Sequence, residues 1–251
     1  MPVQNTKGQK DVEYDMNVAV LLAGGRGIRS QQNIPKQFIS IFDRMLIIYT
    51  LQAFQSHPLI DHIVVSCVEG WENILRINAL EAGVNKLHRI VPGGMDVQSS
   101  TRNALVSLED TLHPNDIVII HDSVRPLVPE WVITDCVETA QRHGSGLSAV
   151  RCQETIVCTE DGTSGSKSIH RDGIMRVQTP QAYKFNKVLS AHKKAVELGI
   201  TKIIYTNTMM LELGDTLYFS KGSEKNIKIT SKEDIALFKA LYKVKDEVWF
   251  K

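Results

Sequence analysis

The sequence predicts an α/β protein built on a largely parallel sheet with helices packed on both of its faces. Short apolar runs rich in β-branched residues alternate along the chain with longer segments of helical periodicity. Parallel strands need crossover connections, and right-handed crossovers through helices cover both faces of the sheet. At 251 residues the chain is long enough for one such domain. Ligands of such sheets bind beyond the carboxyl ends of the strands, so we expect functional residues in the loops that follow them.

The predicted strands are short runs dominated by Val, Ile and Leu, a composition typical of strands buried on both faces. The first is followed by a glycine-rich loop, the third by Pro92-Gly93-Gly94 and the fourth by His121-Asp122. Glycine-rich and polar turns of this kind mark the ends of strands. The strands are predicted at Val18–Leu22, His62–Cys67, Leu87–Val91, Ile117–Ile120 and Thr216–Ser220.

The predicted helices are longer segments between the strands, and their apolar residues recur at helical spacing. Thr230 or Ser231, followed by Glu233 or Asp234, is typical of a helix N-cap and indicates where the last helix begins. The helices are predicted near Ile47–Ser56, Trp71–Ala82, Val97–Leu108, Pro129–Arg142, Asn186–Leu198 and Lys232–Tyr242.

The segment from Val150 to Val177 breaks this alternation. Thr155–Cys158 and Ser168–His170 are extended in pattern, and the residues between them are rich in Gly, Ser and Thr. This arrangement predicts a protruding hairpin arm, at about 150–177, which folds over its own site or reaches a second subunit. Residues 1–16 are polar and charged and predict a flexible tail, which leaves 17–251 as a single domain.

Composition and charge exclude several classes of protein. Hydrophobic residues make up 43% of the chain and charged residues 23%, as in an ordinary globular protein. The net charge of +1 provides no basic field for nucleic acid, and no apolar stretch approaches the roughly 18 residues that span a bilayer. We therefore expect neither a nucleic-acid partner nor a membrane. The four cysteines form no C-x-x-C pair, which favours free thiols in a reducing cytosol and a cytoplasmic location.

The loop after the first strand is the strongest functional signal in the chain. Its glycines, beginning with Gly24 and Gly25, let backbone N–H groups approach an anion without interference from Cβ atoms. Two cations that follow, Arg29 and Lys36, can share the charge of a polyphosphate. The P-loop string does not occur, and Ser30 occupies the third glycine position of the dinucleotide fingerprint. The loop therefore predicts a nucleoside triphosphate site or, alternatively, a turn whose glycines are purely conformational.

Two further segments carry candidate functional residues. Asp122 directly follows a buried strand, where a carboxylate suits a magnesium ligand or, alternatively, a local pair with Arg125. We interpret His121 as a packed or orienting residue rather than a general base. Lys228 lies between two isoleucines and points either to solvent or to the site. Asn226 beside it is a candidate second metal contact.

Six motifs occur along the chain in order: Leu-Ala-Gly-Gly-x-Gly-x-Arg, Pro-Lys-Gln-Phe, Pro-Gly-Gly-x-Asp, His-Asp-x-Val-Arg-Pro, Gln-Thr-Pro-Gln and Asn-Ile-Lys-Ile-Thr. From about Asn17 to the C-terminus, the chain thereby resembles the cytidylyltransferases that form CDP-alcohols, a family that includes the methylerythritol 4-phosphate and ribitol 5-phosphate enzymes. The resemblance implies a Rossmann-like nucleotidyltransferase fold with three layers, a mixed but largely parallel sheet and a protruding β-arm. It also implies a homodimer formed through that arm, and Mg²⁺-dependent transfer of CMP from CTP to a polyol phosphate with release of pyrophosphate.

The resemblance also assigns roles to the residues that match the motifs. The catalytic cations that it implies are Arg29, Lys36 and Lys228. The residues that it implies around CTP are Ala23, Gly24, Gly25, Gly93, Gly94, Ser100, Asp122 and Arg125, with Asp122 also holding Mg²⁺. The acceptor phosphate is expected at Thr155, Arg171 and Thr179, with Arg171 reaching the neighbouring subunit's site.

The chain departs from the family pattern near the expected acceptor. Val97 stands where a basic residue usually follows Gly-Gly-x-Asp, and Asn207 replaces the carboxylate of a usual Thr-Asp pair. The Leu-Ala-Gly-Gly loop, Trp71 and Gln-Thr-Pro-Gln resemble the ribitol branch. Ribitol 5-phosphate, for teichoic acid or capsule synthesis, is therefore favoured over methylerythritol 4-phosphate, for isoprenoid precursors. A sugar 1-phosphate nucleotidyltransferase and a catalytically silent nucleotide-binding homologue are the other hypotheses.

Overall fold

The computed structural model describes residues 15–25, 34–200 and 205–244. Two predictions concern residues outside these ranges, namely Arg29 and the part of the tail at 1–14. Met16, which the prediction places in the tail, is already anchored to the domain. Its backbone N–H donates to the Asp116 carboxylate at 2.9 Å, and its carbonyl accepts from the Ile117 N–H at 2.9 Å.

Eleven strands are present in the described part of the chain, and seven of them form the central sheet. The strands are β1 (Asn17–Ala23), β2 (Ser40–Ile41), β3 (Arg44–Met45), β4 (His62–Cys67), β5 (Leu87–Pro92), β6 (Ile117–Asp122), β7 (Ser145–Arg151), β8 (Ile156–Cys158), β9 (Lys167–Ile169), β10 (Met175–Lys184) and β11 (Phe219–Lys221). The order in the central sheet is β11-β7-β10-β6-β1-β4-β5. Strand β10 runs antiparallel to both of its neighbours, and every other pairing in the sheet is parallel. The predicted mixed but largely parallel sheet is confirmed.

Helices cover both faces of this sheet. Alternate side chains of β1 point to opposite faces, as in any strand. Ala19 and Leu21 join a core cluster with α1, α2 and α4, whereas Val18 and Val20 join a second cluster with α3, α5 and α6. This arrangement confirms the predicted three layers. The helices are α1 (Leu46–Ser56), α2 (Glu72–Glu81), α3 (Val97–Val106), α4 (Glu130–His143), α5 (Phe185–Glu197), α6 (Thr206–Glu212) and α7 (Lys232–Lys243).

The last helix closes a smaller third cluster beside the sheet. Helix α7 begins after Ser231, whose hydroxyl accepts from the Asp234 N–H at 3.2 Å in a capping box, as the sequence predicts. Phe238 of this helix is fully buried and packs edge-on against Tyr49 of α1, with ring centroids 5.2 Å apart. The chain between β11 and α7 is thereby held over the sheet edge where the candidate site lies.

The predicted arm is present as a hairpin of β8 and β9. Strand β7 ends at Arg151, β10 begins at Met175, and these two residues are paired, so 152–174 leave the sheet together. The pairing of β8 with β9 is antiparallel, and Val157 remains 51% exposed. The arm is shorter than the predicted 150–177, because both of its ends belong to the central sheet.

Several elements differ from the sequence-based expectations. Strands β7 and β10 and helix α6 were not predicted, and the strand expected at Thr216–Ser220 is found at Phe219–Lys221. Strand β7 contains small residues that give little hydrophobic signal, and β10 contains Pro180, which argues against a central strand. The pairing of the last strand is set by β7, since the Leu147 N–H donates to the Tyr218 carbonyl at 2.8 Å just before β11 begins.

Two expectations from composition concern cysteines and membranes. Three of the cysteines are buried and Cys158 is exposed, and all four are free thiols. Among the described residues, no helix combines the length and the apolar content needed to cross a bilayer.

Candidate active site

Four adjacent strands deliver the predicted functional residues to one edge of the sheet. Leu22 of β1 is paired with Asp122 of β6, and Ala23 is paired with Cys67 of β4. Cys67 in turn is paired with Pro92 of β5. Because these strands are parallel, their carboxyl ends lie side by side and the loops that follow them meet above this edge.

Two glycine segments form a close backbone contact at this edge, and we call Gly24, Gly93 and Gly94 the glycine cradle. A Cβ on Gly93 would lie 2.8 Å from the Gly24 Cα, and one on Gly24 would lie 2.8 Å from the Ser100 Oγ. A Cβ on Gly94 would collide with the Ser99 side chain. Close packing alone therefore favours glycine at these three positions. Among the described residues, nothing lies within 4 Å of the place that a Cβ on Gly25 would take, so their packing does not account for this glycine.

Ser100 supports the cradle from behind. Its hydroxyl accepts from the Gly94 N–H at 2.9 Å, and the residue is buried. Helix α3, which carries it, begins directly after the cradle with a capping box between Asp96 and Ser99. The hydrogen bonds from Ser99 hold the pKa of the Asp96 carboxyl below its usual value. Val97, one of the departures from the family pattern, is the first residue of this helix.

Gln37 is a residue of the site to which the sequence analysis gave no role. Its side chain is buried, and its Nε2 donates to the Ala23 carbonyl at 2.7 Å and to the Gly25 carbonyl at 3.0 Å. These two carbonyls stand on either side of Gly24 in the chain, so the Gln37 amide holds the backbone before and after that glycine. Its place in the Pro-Lys-Gln-Phe motif was visible in the sequence, but the contact to the first strand depends on the fold.

Asp122, Arg125 and Lys228 form an ion-pair cluster, which we call the Asp122 cluster. One carboxylate oxygen of Asp122 lies 3.0 Å from the Arg125 Nε, and the other lies 3.1 Å from the Lys228 Nζ. The Asp122 side chain is only 15% exposed. Burial raises the pKa of the Asp122 carboxyl, but the Lys228 ammonium and the Arg125 guanidinium outweigh it and hold that pKa below its ordinary value. The predicted pair of Asp122 with Arg125 is therefore present. It lies at the sheet edge where a substrate phosphate, and with it a magnesium ion, is expected.

The segment before α7 brings Lys228 and Lys36 to the same place. The Ile229 N–H donates to the Val124 carbonyl at 2.9 Å, which ties this segment to the loop after β6. The Lys36 Nζ donates to the Thr230 carbonyl. Lys228 therefore points toward Asp122 with part of its side chain exposed, and Lys36 contacts the same segment two residues further on.

The predicted acceptor residues divide into two groups. Thr179 of β10 lies in the site, since its hydroxyl accepts from the Asp122 N–H at 3.0 Å. Thr155 and Arg171 lie on the exposed arm, and Arg171 donates to the Gln153 carbonyl at 2.7 Å. Among the described residues of a single chain, no hydrogen bond or ion pair joins these two arm residues to the Asp122 cluster.

His121 is a structural residue, as the sequence analysis interprets it. It is fully buried against Phe54, with ring centroids 5.0 Å apart, and its Nε2 lies 3.2 Å from the Arg125 carbonyl. Burial lowers the pKa of His121 to about 4, so the ring is neutral near pH 7. A neutral ring that donates to the Arg125 carbonyl orients the loop after β6.

The carboxylate available for a metal is Asp122. Within the described ranges, no group of three or more His, Cys, Asp or Glu side chains is placed to hold a metal ion. Mg²⁺ is commonly bound through one or two carboxylates together with substrate phosphates and water. Asp122 is suited to holding Mg²⁺ together with substrate phosphates and water, and not to a site made of protein ligands alone.

Comparison with known proteins identifies the family. The IspD family, described as 2-C-methyl-D-erythritol 4-phosphate cytidylyltransferase, matches residues 17–243. The chain belongs to this family. The IspD family members are cytidylyltransferases, and the resemblance inferred from the six motifs is confirmed.

Two relatives of this chain are named for different activities. A ribitol-5-phosphate cytidylyltransferase of Lacticaseibacillus paracasei is 42% identical over 233 residues, which is 92% of this chain and 100% of that protein. A 2-C-methyl-D-erythritol 4-phosphate cytidylyltransferase of Clostridium acetobutylicum is 36% identical over 231 residues, which is 91% of this chain and 98% of that protein. The two names correspond to the two acceptors that the sequence analysis weighed.

Solved structures of the family have the same fold. The crystal structure of the Francisella tularensis 2-C-methyl-D-erythritol 4-phosphate cytidylyltransferase matches this chain with a TM-score of 0.76 and 27% identity. The match covers 90% of this chain and 99% of that one. The Rossmann-like nucleotidyltransferase fold expected from the motifs is therefore confirmed.

Proposed function

We propose that this protein transfers CMP from CTP to ribitol 5-phosphate, with CDP-ribitol and pyrophosphate as products. The observation that carries the proposal is the Asp122 cluster beside the glycine cradle, in a chain 42% identical to a named ribitol-5-phosphate cytidylyltransferase. Methylerythritol 4-phosphate is the second candidate acceptor, because a relative with that name is 36% identical.

The glycine cradle and the nearby cations suit a nucleoside triphosphate. Backbone N–H groups of closely packed glycines can surround phosphate oxygens, and Ala23, Gly24 and Gly25 occupy the loop that would do so. Gly93 and Gly94 would lie against the cytosine and ribose. Lys36, Lys228 and, by the motif, Arg29 would neutralise the phosphates, and Arg125 beside Asp122 would flank the reacting group.

The chemistry needs no nucleophile from the protein. A phosphate oxygen of the acceptor attacks the α-phosphorus of CTP in line, and the bond from that phosphorus to the pyrophosphate oxygen breaks. The acceptor oxygen is already anionic, so no base is required, which agrees with a neutral and buried His121. Catalysis then consists of positioning two anions and stabilising the charge that develops on the nonbridging oxygens. In this proposal Lys228 would do this at the α-phosphate.

We propose Mg²⁺ as the cofactor, with Asp122 as its protein ligand. The donor set fits the ion, since a carboxylate of lowered pKa stands where the triphosphate is expected. Bound Mg²⁺ would neutralise charge on the phosphates and on the leaving pyrophosphate. Asp122 would exchange its pair with Lys228 for this role, and Arg125 would keep the carboxylate oriented.

The acceptor site is completed by the arm in this proposal. Thr179 stands next to Asp122, whereas Thr155 and Arg171 lie on an exposed two-stranded hairpin. Such a hairpin is marginally stable alone, so packing against a second copy of the chain would stabilise it. We therefore propose a homodimer in which Arg171 reaches the neighbouring site. The free thiols suit the cytoplasm, where we place the enzyme.

The test is pyrophosphate release from CTP and Mg²⁺ with three acceptors offered separately: ribitol 5-phosphate, methylerythritol 4-phosphate and glycerol 3-phosphate. Turnover with ribitol 5-phosphate is expected. Release with methylerythritol 4-phosphate alone would assign the second candidate. Use of UTP or dTTP with a hexose 1-phosphate would instead indicate a sugar nucleotidyltransferase, and CTP binding without turnover would indicate a silent homologue.

A further inference from the structure

The segment that carries Lys228 is irregular and depends on a few side chains for its position. Residues 222–230 form neither a helix nor a strand. At its two ends, the Gly222 N–H donates to the Ala149 carbonyl at 2.9 Å and the Ile229 N–H donates to the Val124 carbonyl at 2.9 Å. Between these ends, the segment is tied to β10 through the amide side chains of Gln178 and Asn226.

Gln178 holds the first part of this segment. Its Nε2 donates to the Ser223 carbonyl at 2.9 Å, and its Oε1 accepts from the Ser223 N–H at 3.2 Å. The approach is close, because a Cβ on Gly222 would lie 2.8 Å from that Oε1. Gln178 is 9% exposed, so these bonds are largely shielded from water.

Asn226 holds the second part, two residues before Lys228. The residue is fully buried, and its Nδ2 donates to the Thr179 carbonyl at 2.7 Å and to the Gln178 Oε1 at 3.4 Å. Both neighbours of the Nδ2 are acceptors, so the orientation of the amide is determined. Its backbone carbonyl accepts from Arg125 at 2.8 Å. Asn226 therefore contacts β10 through its side chain and the Asp122 cluster through its main chain.

We propose that Asn226 is a positioning residue, whose amide fixes the Lys228 segment so that the lysine ammonium meets the reacting phosphate. The proposal rests on the role proposed above for Lys228 and deepens it. It is distinct from the hypothesis of a metal contact, which would use the amide Oδ1, whereas positioning uses the Nδ2. The Oδ1 is buried and has no partner among the described residues, so the Nδ2 carries the side-chain contacts.

The direct test compares Asn226→Ala with a matched control, Asn17→Ala. Asn17 is also buried with an unpartnered Oδ1, but it lies at the opposite end of β1 from the site. Loss of the Asn226 amide is expected to lower kcat roughly tenfold, the effect of about one lost hydrogen bond on the transition state, with KM for CTP unchanged. The control is expected to keep the wild-type kcat, and thermal unfolding of both variants checks the fold.

A double-mutant cycle separates positioning from general stability. In a Lys228→Ala background, Asn226→Ala should have no further effect on kcat, because the group that it positions is gone. Equal losses in both backgrounds would overturn the proposal, as would an unchanged kcat in the single variant. If Asn226→Ala does not fold, Gln178→Ala removes the partner of the same amide and takes its place in the cycle.

A measurement without turnover keeps this proposal distinct from the proposed function. The lysines are reductively methylated with ¹³C, and the Lys228 signal is assigned by its loss in Lys228→Ala. Its chemical shift should change in Asn226→Ala and stay in place in Asn17→Ala, whichever acceptor the enzyme uses. An unchanged shift would overturn the positioning role, whereas absence of turnover with every acceptor would overturn only the proposed function. Unchanged Mg²⁺ dependence in Asn226→Ala would agree with positioning, and a specific loss of it would favour the metal-contact hypothesis instead.

Discussion

The charged residues of the site are grouped around one carboxylate, that of Asp122. Asp122 is paired with Lys228 and Arg125, and Lys36 donates to the Thr230 carbonyl. Both lysines thus have protein partners in the ligand-free chain. When a triphosphate binds, each lysine can exchange that partner for a phosphate oxygen without leaving its place, which limits the reorganisation that catalysis requires.

Removal of either lysine should lower turnover far more than it changes stability. We expect Lys36→Ala and Lys228→Ala to reduce kcat roughly 100-fold or more, the scale for loss of one preorganised charged donor. Lys193→Ala is the control, since Lys193 pairs with Glu109 on the surface with 51% of its side chain exposed, and its turnover should stay at the wild-type value. The measurement is pyrophosphate release under saturating CTP. Near-normal rates in either site variant would refute the charge assignment.

Buried histidines should make the protein less stable in mild acid. Burial lowers the pKa of His121 and of His192 to about 4, below the ordinary value of 6.5. Between about pH 6.5 and pH 4, the unfolded chain binds protons that the native chain does not, so the free energy of unfolding falls as the pH falls. Each histidine accounts for a loss of the order of 3 kcal/mol across that interval.

Urea unfolding at a series of pH values from 7 to 4.5 measures this loss. His192→Gln should give a shallower decrease than the wild type, because the group that binds the extra proton on unfolding has been removed. Ser168→Ala, at an exposed position on the arm, removes no titratable group and should leave the slope unchanged. Identical slopes in all three proteins would contradict the assignment to buried histidines.

Among the elements, those with strong periodicity were predictable and those defined by their neighbours were not. Strand β4 was predicted at its observed bounds, His62–Cys67, because its centre is the β-branched apolar run Ile63–Val65. Strand β10 was missed because Pro180 and a run of polar residues resemble a loop. In the structure its backbone pairs with β6 on one side and with β7 on the other. Gln178 lies in that strand, so its contact with the segment that carries Lys228 could not be inferred from the Gln-Thr-Pro-Gln motif. Whether such a segment forms a strand depends on its pairing partners, which are distant in sequence.

The loop after β1 should depend on Gln37 for its conformation. Gln37→Ala would leave the Ala23 and Gly25 carbonyls without their amide donor, and the loop would no longer be held open for phosphate. We expect KM for CTP to rise about tenfold, with a smaller change in kcat, because the contact organises binding before the reaction. The measurement is initial rate against CTP concentration.

Gln52→Ala provides the control for that prediction. Gln52 accepts from Arg44 at 2.6 Å at the surface of α1, away from the cradle. Its loss should change neither KM nor kcat. Gln37→Glu should resemble Gln37→Ala, since a carboxylate cannot donate to two carbonyls, and a wild-type KM in that variant would show that the donated bonds are not needed.

For the whole molecule, the exposed two-stranded arm is the feature that suggests a second copy of the chain. The motifs predicted the sheet edge, the glycine cradle and the Asp122 cluster, because these are built from short segments that follow strands. The place of Arg171 at a neighbouring site was expected from the resemblance alone, since the arm that carries it leaves the sheet after Arg151 and returns at Met175. A second copy of the chain supplies the missing surface in the proposed homodimer.

Mixing two inactive variants tests this arrangement. If Arg171 acts in the neighbouring site, a dimer of one Arg171→Ala chain and one Lys228→Ala chain contains one site with both residues intact. Random pairing makes half of the dimers mixed, so activity should return to about a quarter of the wild-type value. If Arg171 acts in its own site, every site in the mixture lacks one residue and activity stays at the level of the single variants. Variants refolded together from urea ensure exchange of subunits, and a mixture of Lys193→Ala with wild type, which should stay fully active, controls for losses during refolding.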